Sequence, residues 1–231
     1  MTTKRPDRTD LRRGVRAAAR DALDRRDPLW PGQLALLIAI TLGFALPSEL
    51  TIGPPWLVPG CEGAVLVGMI GMTPRKPDRE TSRRRGLRLA LAAFVSAMNV
   101  VALFLLARSL GGGSAQSARS LLVAGAVLWL TSVLLFAIWF WEFDGDGPIR
   151  RARGDSGPPD FRFPQTDDRG WGEWQPSFGD YLYLSLTNAS TFGPAEMAPL
   201  TAEAKLMMGL QTVASLTTTT IVLAYAINNL H

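Results

Sequence analysis

Apolar residues lie along this chain in five blocks that are nearly free of charged side chains. The blocks cover residues 33–47, 56–72, 89–107, 121–141 and 206–227. The hydrocarbon layer of a bilayer is about 30 Å thick, and a helix rising about 1.5 Å per residue needs about 20 apolar residues to cross it. The pattern therefore predicts an all-α polytopic transmembrane bundle with five spans.

A sixth semi-apolar segment, DYLYLSLTNASTF at residues 180–192, is too short to cross. As a helix it would rise only about 20 Å. An irregular Gly-Pro-Ala-Glu turn follows it, and the last apolar block comes next. At membrane depth, non-helical backbone persists only where protein or a water-filled cavity satisfies its polar groups. This order predicts a re-entrant half-helix at 178–191 with a polar loop at 187–199.

Charged and turn-forming residues divide the chain into four regions. These are a basic tail at 1–28, a four-span membrane region at 29–143, a polar loop at 144–176, and the re-entrant segment with the last span at 177–231. The third region is rich in Pro, Gly and Asp and contains no span. We expect it to lie outside the bilayer.

The basic residues predict the orientation of the bundle. The tail holds nine Lys and Arg, residues 73–88 hold seven and residues 144–176 hold five, together 21 of the 24 in the chain. Short loops rich in Lys and Arg remain in the cytoplasm. Five crossings that begin inside place all three segments there and the C-terminus outside. The excess of Arg over Lys indicates a bacterial source, and so a multi-pass protein of the bacterial plasma (inner) membrane.

Composition excludes several classes of function. The only histidine is His231 and the only cysteine is Cys61, so His-dependent triads, zinc sites and an internal disulfide are ruled out. Acids such as Asp167 in the polar loop have no partner chemistry nearby. We therefore expect no enzymatic activity and no cofactor. Basic clusters beside apolar spans favour contact with membrane lipids rather than with nucleic acid.

The segment from Asp180 to Pro199 resembles a known pore loop. The chain has DYLYLS at 180–185 and NASTFGPAEMAP at 188–199, followed by Lys205 and an apolar helix. Without a gap, this is similar to the pattern D-x-L-Y-F-S-x-x-T-x-T-T-V-G-Y-G-D-x-x-P of the two-span potassium channel superfamily. That resemblance covers less than a quarter of the chain. Most of the chain also resembles an uncharacterised bacterial family of five-span membrane proteins.

The potassium channel resemblance implies roles for residues of the loop. The pore-loop candidates are Asn188, Ser190, Thr191, Phe192, Gly193 and Glu196. Thr191 and Gly193 would offer backbone carbonyls, as a selectivity filter does. Asn188 and Ser190 would offer side-chain oxygens, and Glu196 a negative charge that favours a monovalent cation.

The chain also departs from that pattern. Pro194 and Ala195 stand where the family has Tyr and the second filter Gly, and neither residue suits the alternating backbone angles of a filter. The charge distribution places this loop on the cytoplasmic side, whereas family loops enter from outside. Two interpretations stay open, a non-conducting structural element and an inverted pore of different selectivity.

Further polar residues lie within the apolar blocks. Gln211, Ser215 and Thr219 share one helical face at four-residue spacing, and they either line a wet pathway or bond to neighbouring helices. Asn99, near the middle of the third span, predicts an interhelical hydrogen bond. Glu62 lies about one turn inside the second span, where a carboxylate is costly, so it is either functional or reaches interfacial water.

Two hypotheses for function follow. The first is a channel-like or transport protein that works as a homo-oligomer, with loop 187–199 at its centre. The second is a structural or accessory membrane protein that binds anionic lipid or a partner through its basic cytoplasmic face.

Overall fold

The computed structural model describes residues 29–51, 53–71, 82–111, 118–167, 174–190, 193 and 196–228. The predicted basic tail at 1–28 and residues 73–81 of the second basic segment lie outside this part of the chain. The same is true of the pore-loop candidates Thr191 and Phe192 and of the departures Pro194 and Ala195.

Helices form most of the described chain, and the predicted all-α class is confirmed. They are α1 (Trp30–Gly43), α2 (Leu57–Gly71), α3 (Ser82–Gly111), α4 (Ala118–Phe143), α5 (Pro148–Arg153), α6 (Pro164–Asp167), α7 (Phe178–Ala189) and α8 (Ala202–Asn228). Short 3-10 turns occupy Ser48–Leu50 and Asp144–Asp146. Two short strands, β1 (Phe161–Arg162) and β2 (Ala198–Pro199), pair antiparallel.

Three helices of the described chain are long and apolar enough to cross a membrane. Their qualifying stretches are Arg85–Ser109, Arg119–Asp146 and Ala202–Ala224, in α3, α4 and α8. The other two apolar helices, α1 and α2, have only 14 and 15 residues. The first predicted span was expected to continue to Pro47, but α1 ends at Gly43, and Pro47 already has an extended ψ of 148°. The lengths and compositions of the three longer helices indicate association with a membrane.

Helix α4 lies at the centre of the bundle and packs against α1, α3, α7 and α8. It is apolar on nearly all sides, as expected of a helix surrounded by protein. Ala124, Ala137 and Phe140 on different turns are all fully buried. By contrast, α8 buries only one stripe, and Leu206 and Val213 on its outer side are 65% and 64% exposed.

One end of the bundle collects the segments next to the three predicted basic regions. We call it the Glu142 end, after the residue at the C-terminal end of α4. Leu29, which precedes α1, packs there with Trp141 and Phe161. Arg85, at the start of α3, donates from Nη2 to the Glu142 carbonyl oxygen at 3.2 Å. At the opposite end, which we call the hairpin end, residues 44–56 connect α1 to α2.

A buried ion pair joins α3 to α4 at the Glu142 end. Arg88 donates from Nε to Glu142 Oε1 at 3.0 Å and from Nη2 to Oε2 at 3.4 Å. The Glu142 side chain is only 3% exposed. A buried charge is strongly destabilising once its partner is removed, so this pair fixes the relative positions of the two helices.

Glu142→Gln is expected to lower the free energy of unfolding by about 3 kcal/mol, because the Arg88 guanidinium loses the buried carboxylate to which it donates two hydrogen bonds. The measurement is thermal unfolding of the detergent-solubilised protein, followed by circular dichroism. The matched control is Glu49→Gln, at an exposed glutamate of the hairpin end, which should unfold like the wild type. Equal midpoints for the two variants would contradict the prediction.

Candidate functional site

Helix α7 begins at a capping box formed by its own sequence. Asp180 Oδ2 accepts hydrogen bonds from the Ser177 backbone N at 2.8 Å and from Ser177 Oγ at 2.7 Å, and the Ser177 side chain caps the Asp180 backbone N–H in return. This reciprocal arrangement satisfies donors that a helix start would otherwise leave unpaired. The helix ends after 12 residues at Ala189. It therefore rises about 18 Å, less than a bilayer core.

The path of α7 starts at the Glu142 end and runs inward beside α4. The Phe178 ring meets the Trp141 ring edge-on, with 5.5 Å between centroids. Two turns later, Ser185 Oγ donates to the carbonyl oxygen of Val133 at 2.7 Å. Since Val133 lies eight residues before Trp141 on α4, the two helices run antiparallel.

The chain then returns to the end from which it entered. In the β1–β2 pair, Phe161 lies opposite Pro199. The Leu200 N–H donates to the Asp160 carbonyl oxygen at 2.8 Å, and Thr201 Oγ1 donates to Asp160 Oδ1 at 2.7 Å. The start of α8 is therefore tied to the same loop that adjoins the C-terminal end of α4.

A buried set of polar side chains joins α7 to α8 and α4. We call Ser185, Asn188, Gln211 and Thr212 the Gln211 cluster. Gln211 Nε2 donates to the Ser185 carbonyl oxygen at 2.9 Å and to Ser185 Oγ at 2.6 Å. Asn188 Nδ2 donates to Gln211 Oε1 at 2.9 Å and to the Met208 carbonyl oxygen at 3.0 Å. Thr212 Oγ1 lies 3.4 Å from Asn188 Oδ1.

This cluster is a saturated interhelical network. Gln211 is 0% exposed and Asn188 is 7% exposed. Their amide groups bond to each other and to the backbone of the neighbouring helices, which is how polar side chains stabilise helix contacts in membranes. Of the two interpretations of Gln211 in the sequence, bonding to neighbouring helices describes its contacts in the structure.

The other loop candidates lie at the surface or partly buried. Ser190, at the end of α7, is half-buried, and its Oγ donates to the Thr187 carbonyl oxygen at 3.0 Å. Gly193 and Glu196 are both exposed. Gly193 has a φ of 64°, a backbone conformation that glycine adopts without strain. Asn188 thus lies in the buried C-terminal part of α7, while Gly193 and Glu196 lie in the exposed loop that follows the helix.

The buried face of α8 differs from the face expected for a pathway. Its members are Ala204, Met208, Gln211, Ser215 and Thr218. The expected residue Thr219 is exposed instead. A helix turns about 100° per residue. Thr219, eight residues after Gln211, therefore points about 80° away from it, whereas Thr218, seven residues after, points within about 20° of it. Ser215 does lie on the buried face, and its Oγ has no partner in the described chain.

The two remaining polar candidates, Asn99 and Glu62, lie away from α7. Asn99 Nδ2 donates to the Leu128 carbonyl oxygen at 3.3 Å, so the interhelical hydrogen bond expected of it is present between α3 and α4. Glu62 is buried in α2 and contacts a cavity between α1, α2, α3 and α4. The structure thus brings together Asn188 and Gln211, but neither of them with Glu62.

A second polar centre was not anticipated from the sequence. The Asp144 carboxylate, 2% exposed, accepts hydrogen bonds from the Tyr181 hydroxyl and from the backbone N–H groups of Asp160 and Phe161, the latter two at 2.6 and 3.3 Å. The Arg151 guanidinium lies 5.2 Å from the centroid of the Tyr181 ring and donates to the Asp144 carbonyl oxygen.

The only local signal for this centre is Asp144-Gly145-Asp146-Gly147, directly after an apolar helix. All three residues after Asp144 have a positive φ, as a tight turn rich in glycine allows. The sequence indicates such a turn but not its partners, since Tyr181 lies 37 residues further along the chain.

Within the described residues, no group of three or more His, Cys, Asp or Glu side chains could hold a metal ion. The polar groups of the site are neutral amides, hydroxyls, backbone groups, the Asp144 carboxylate and the Arg151 guanidinium.

Comparison with models of protein families, with curated proteins and with solved structures gave no match for this chain. The resemblance to potassium channel pore loops therefore depends on the residues of segment 180–199 alone.

Tyr181→Phe is expected to lower the free energy of unfolding by about 1–3 kcal/mol, because the buried Asp144 carboxylate loses one of its donors. Tyr183→Phe is the matched control, since Tyr183 is 58% exposed on the same helix. Thermal unfolding of both variants in detergent compares them directly. A Tyr181→Phe variant as stable as Tyr183→Phe would show that the hydroxyl does not anchor α7.

Gln211→Met keeps the length of the side chain and removes its amide, so Asn188 and Ser185 each lose a partner. We expect a loss of about 1–2 kcal/mol in unfolding free energy, because several interhelical hydrogen bonds of about 0.6 kcal/mol or more each are lost together. Thr219→Val, on the exposed side of α8, should have little effect. If Gln211→Met were as stable as the wild type, the cluster would not be what holds α7 to α8.

Proposed function

We propose that this protein is a channel-like membrane protein in which α7 and loop 190–199 form a re-entrant element within a homo-oligomer. The observation that supports it most directly is the path of α7. The helix is too short to cross, it runs from the Glu142 end to the level of Val133 on α4, and the chain returns to Asp160 at the same end. Re-entrant elements of this kind surround ion pathways in channels.

The proposal includes five crossings and a defined orientation. Helices α1 and α2 form a hairpin beside the three longer helices and would complete the count, with their connecting residues 44–56 at the far membrane surface. The segments adjoining the predicted basic regions all meet at the Glu142 end. Loops rich in Lys and Arg favour the cytoplasm. We therefore place the Glu142 end, with the N-terminus, on the cytoplasmic side of a bacterial inner membrane.

Exposure of the return loop supports an oligomer. Gly193 and Glu196 lie on the outside of a single bundle, so they can line a pathway only where several copies face a common axis. The outer side of α8 is apolar and exposed, with Leu206, Leu210 and Val213 all more than half exposed. Such a face suits contact with lipid or with a second copy.

The negative charge of Glu196 favours a cation as the transported species. Glu196 would place one carboxylate per subunit at the mouth of the loop, and a ring of carboxylates favours cations. The positive φ of Gly193 is compatible with a loop whose carbonyl oxygens turn toward an ion. We infer a small monovalent cation, entering from the Glu142 end.

A structural or accessory role is the second candidate, and the Gln211 cluster favours it. The polar side chains near the C-terminal end of α7 are hydrogen-bonded to protein, so they are not available to bind an ion or water. In this interpretation, the basic segments at the Glu142 end bind anionic lipid or a partner.

Flux measurements on the full-length protein in liposomes test the proposal. We expect cation efflux that falls several-fold in Glu196→Gln, because the negative charge at the mouth is lost. Glu203→Gln is the matched control, at an exposed acid of the first turn of α8, and should conduct like the wild type. Absence of flux in the wild type, or equal flux in the two variants, would contradict a pore at this loop. Preferential binding to anionic liposomes in that case would favour the structural role.

A further inference from the structure

Glu62 differs from the other buried glutamate of the membrane region. It is 4% exposed, and its Oε1 has no hydrogen-bond partner in the part of the chain that the structure describes. Glu142 is equally buried, but both of its carboxylate oxygens bond to Arg88. The same functional group thus occurs once with a cationic partner and once with an unpaired buried oxygen.

Glu62 borders a cavity of about 60 Å³. Helices α1, α2, α3 and α4 and the connection between α1 and α2 all contribute to its wall. The wall is largely aliphatic. Its polar members besides Glu62 are Thr51, Asn99 and Thr131. This volume is enough for at least one water molecule.

Among the described residues, no other titratable group borders the cavity. The wall residues from α1, the connection, α3 and α4 are apolar or are Thr and Asn, without Asp, Lys, Arg, His, Tyr or Cys. On α2 itself, Cys61 is exposed rather than on the wall. Glu49, on the connection, is exposed as well. Within the part of the chain that the structure describes, Glu62 therefore has no ionic partner around this cavity.

The neutral polar groups of the wall are mostly engaged elsewhere. Asn99 Nδ2 donates to the Leu128 carbonyl oxygen, and Thr51 Oγ1 donates to the Ser48 carbonyl oxygen at 2.9 Å. Only a few oxygens remain for a cation, whereas hard metal ions are held by about six oxygen ligands. A proton needs only one carboxylate oxygen.

An isolated carboxylate is very costly in a medium of low dielectric constant, and such groups become neutral by taking up a proton. We propose that Glu62 and its cavity form an intramembrane proton-binding site. A proton from water adds to a carboxylate oxygen to give the neutral acid, and its release regenerates the carboxylate. The site is separate from the α7 loop and does not depend on the proposed channel function.

The geometry also indicates the side of exchange. Glu62 lies five residues after the start of α2, about 8 Å along its axis. Leu46, Leu50 and Thr51, at the hairpin end, line the same cavity. Protons would therefore exchange with water at the hairpin end, opposite the Glu142 end.

Labelling with dicyclohexylcarbodiimide tests the site in the full-length protein in liposomes. This apolar reagent adds to a protonated carboxyl group and rearranges to a stable N-acylurea without loss of any atom. We expect peptide mass spectrometry to find the adduct at Glu62 at neutral pH, with a several-fold decrease as the pH becomes alkaline. Glu142 is the control within the same molecule and should remain unlabelled, because both of its carboxylate oxygens accept hydrogen bonds from Arg88.

Glu62→Gln provides the second measurement. Glutamine has the shape of the neutral acid, so this variant should unfold at the wild-type temperature and lose the infrared carbonyl band of a carboxylic acid. Three outcomes would overturn the proposal: no adduct at Glu62, labelling that stays constant from neutral to alkaline pH, or a drop in stability like that of Glu142→Gln. Protection of Glu62 by sodium at constant pH would also overturn it, in favour of a metal cation.

Discussion

The position of α7 depends on the need to satisfy one buried carboxylate, that of Asp144. Its donors come from two distant parts of the chain, the Tyr181 hydroxyl on α7 and the backbone of Asp160 and Phe161 beside β1. Loss of any donor would leave a buried charge undersolvated. Because β1 pairs with β2, which leads directly into α8, this carboxylate fixes both the entry of α7 and the return of the chain at one end of α4.

Two further polar centres in the membrane region differ in whether their groups are paired. In the Gln211 cluster, neutral amides bond to one another and to backbone carbonyls, so the cluster is stable without ligand, water or ion. At Glu62 a titratable carboxyl group has a cavity on one side and an oxygen without a partner among the described residues. Unsatisfied buried groups are costly, and in membranes such ionisable residues mark functional sites. Complete hydrogen bonding therefore argues for a structural role at Gln211, and the unpaired oxygen argues for a functional role at Glu62.

The sequence alone predicted the positions of the helices that follow from the local pattern of apolar residues. Long apolar blocks located α3, α4 and α8, and a short one followed by an irregular turn located α7. It was incomplete where contacts between residues far apart in the chain determine the structure. The prediction of a polar loop outside the bilayer at 144–176 did not include the burial of Phe161 and Phe163 against Tyr181, for which the alternation Phe-Arg-Phe was the only hint. Thr219 was placed on the face of Gln211 because four-residue steps were counted, whereas the packed stripe on α8 alternates steps of four and three residues.

Helix α4 contributes to both of the proposed sites. Leu128 and Thr131 border the Glu62 cavity, and the carbonyl oxygen of Val133, two residues further on, accepts the hydrogen bond from Ser185 that positions α7. The cavity nevertheless lies between helices of one bundle, while Gly193 and Glu196 lie on the outer surface of that bundle. A proton at Glu62 and a cation at the loop would therefore follow different routes. Coupling between them requires a structural element that has two conformations, and occupancy of either site must shift the equilibrium between those conformations. Because α4 is the helix that touches both regions, it is where such coupling would arise, and a fixed α4 would leave the two sites independent.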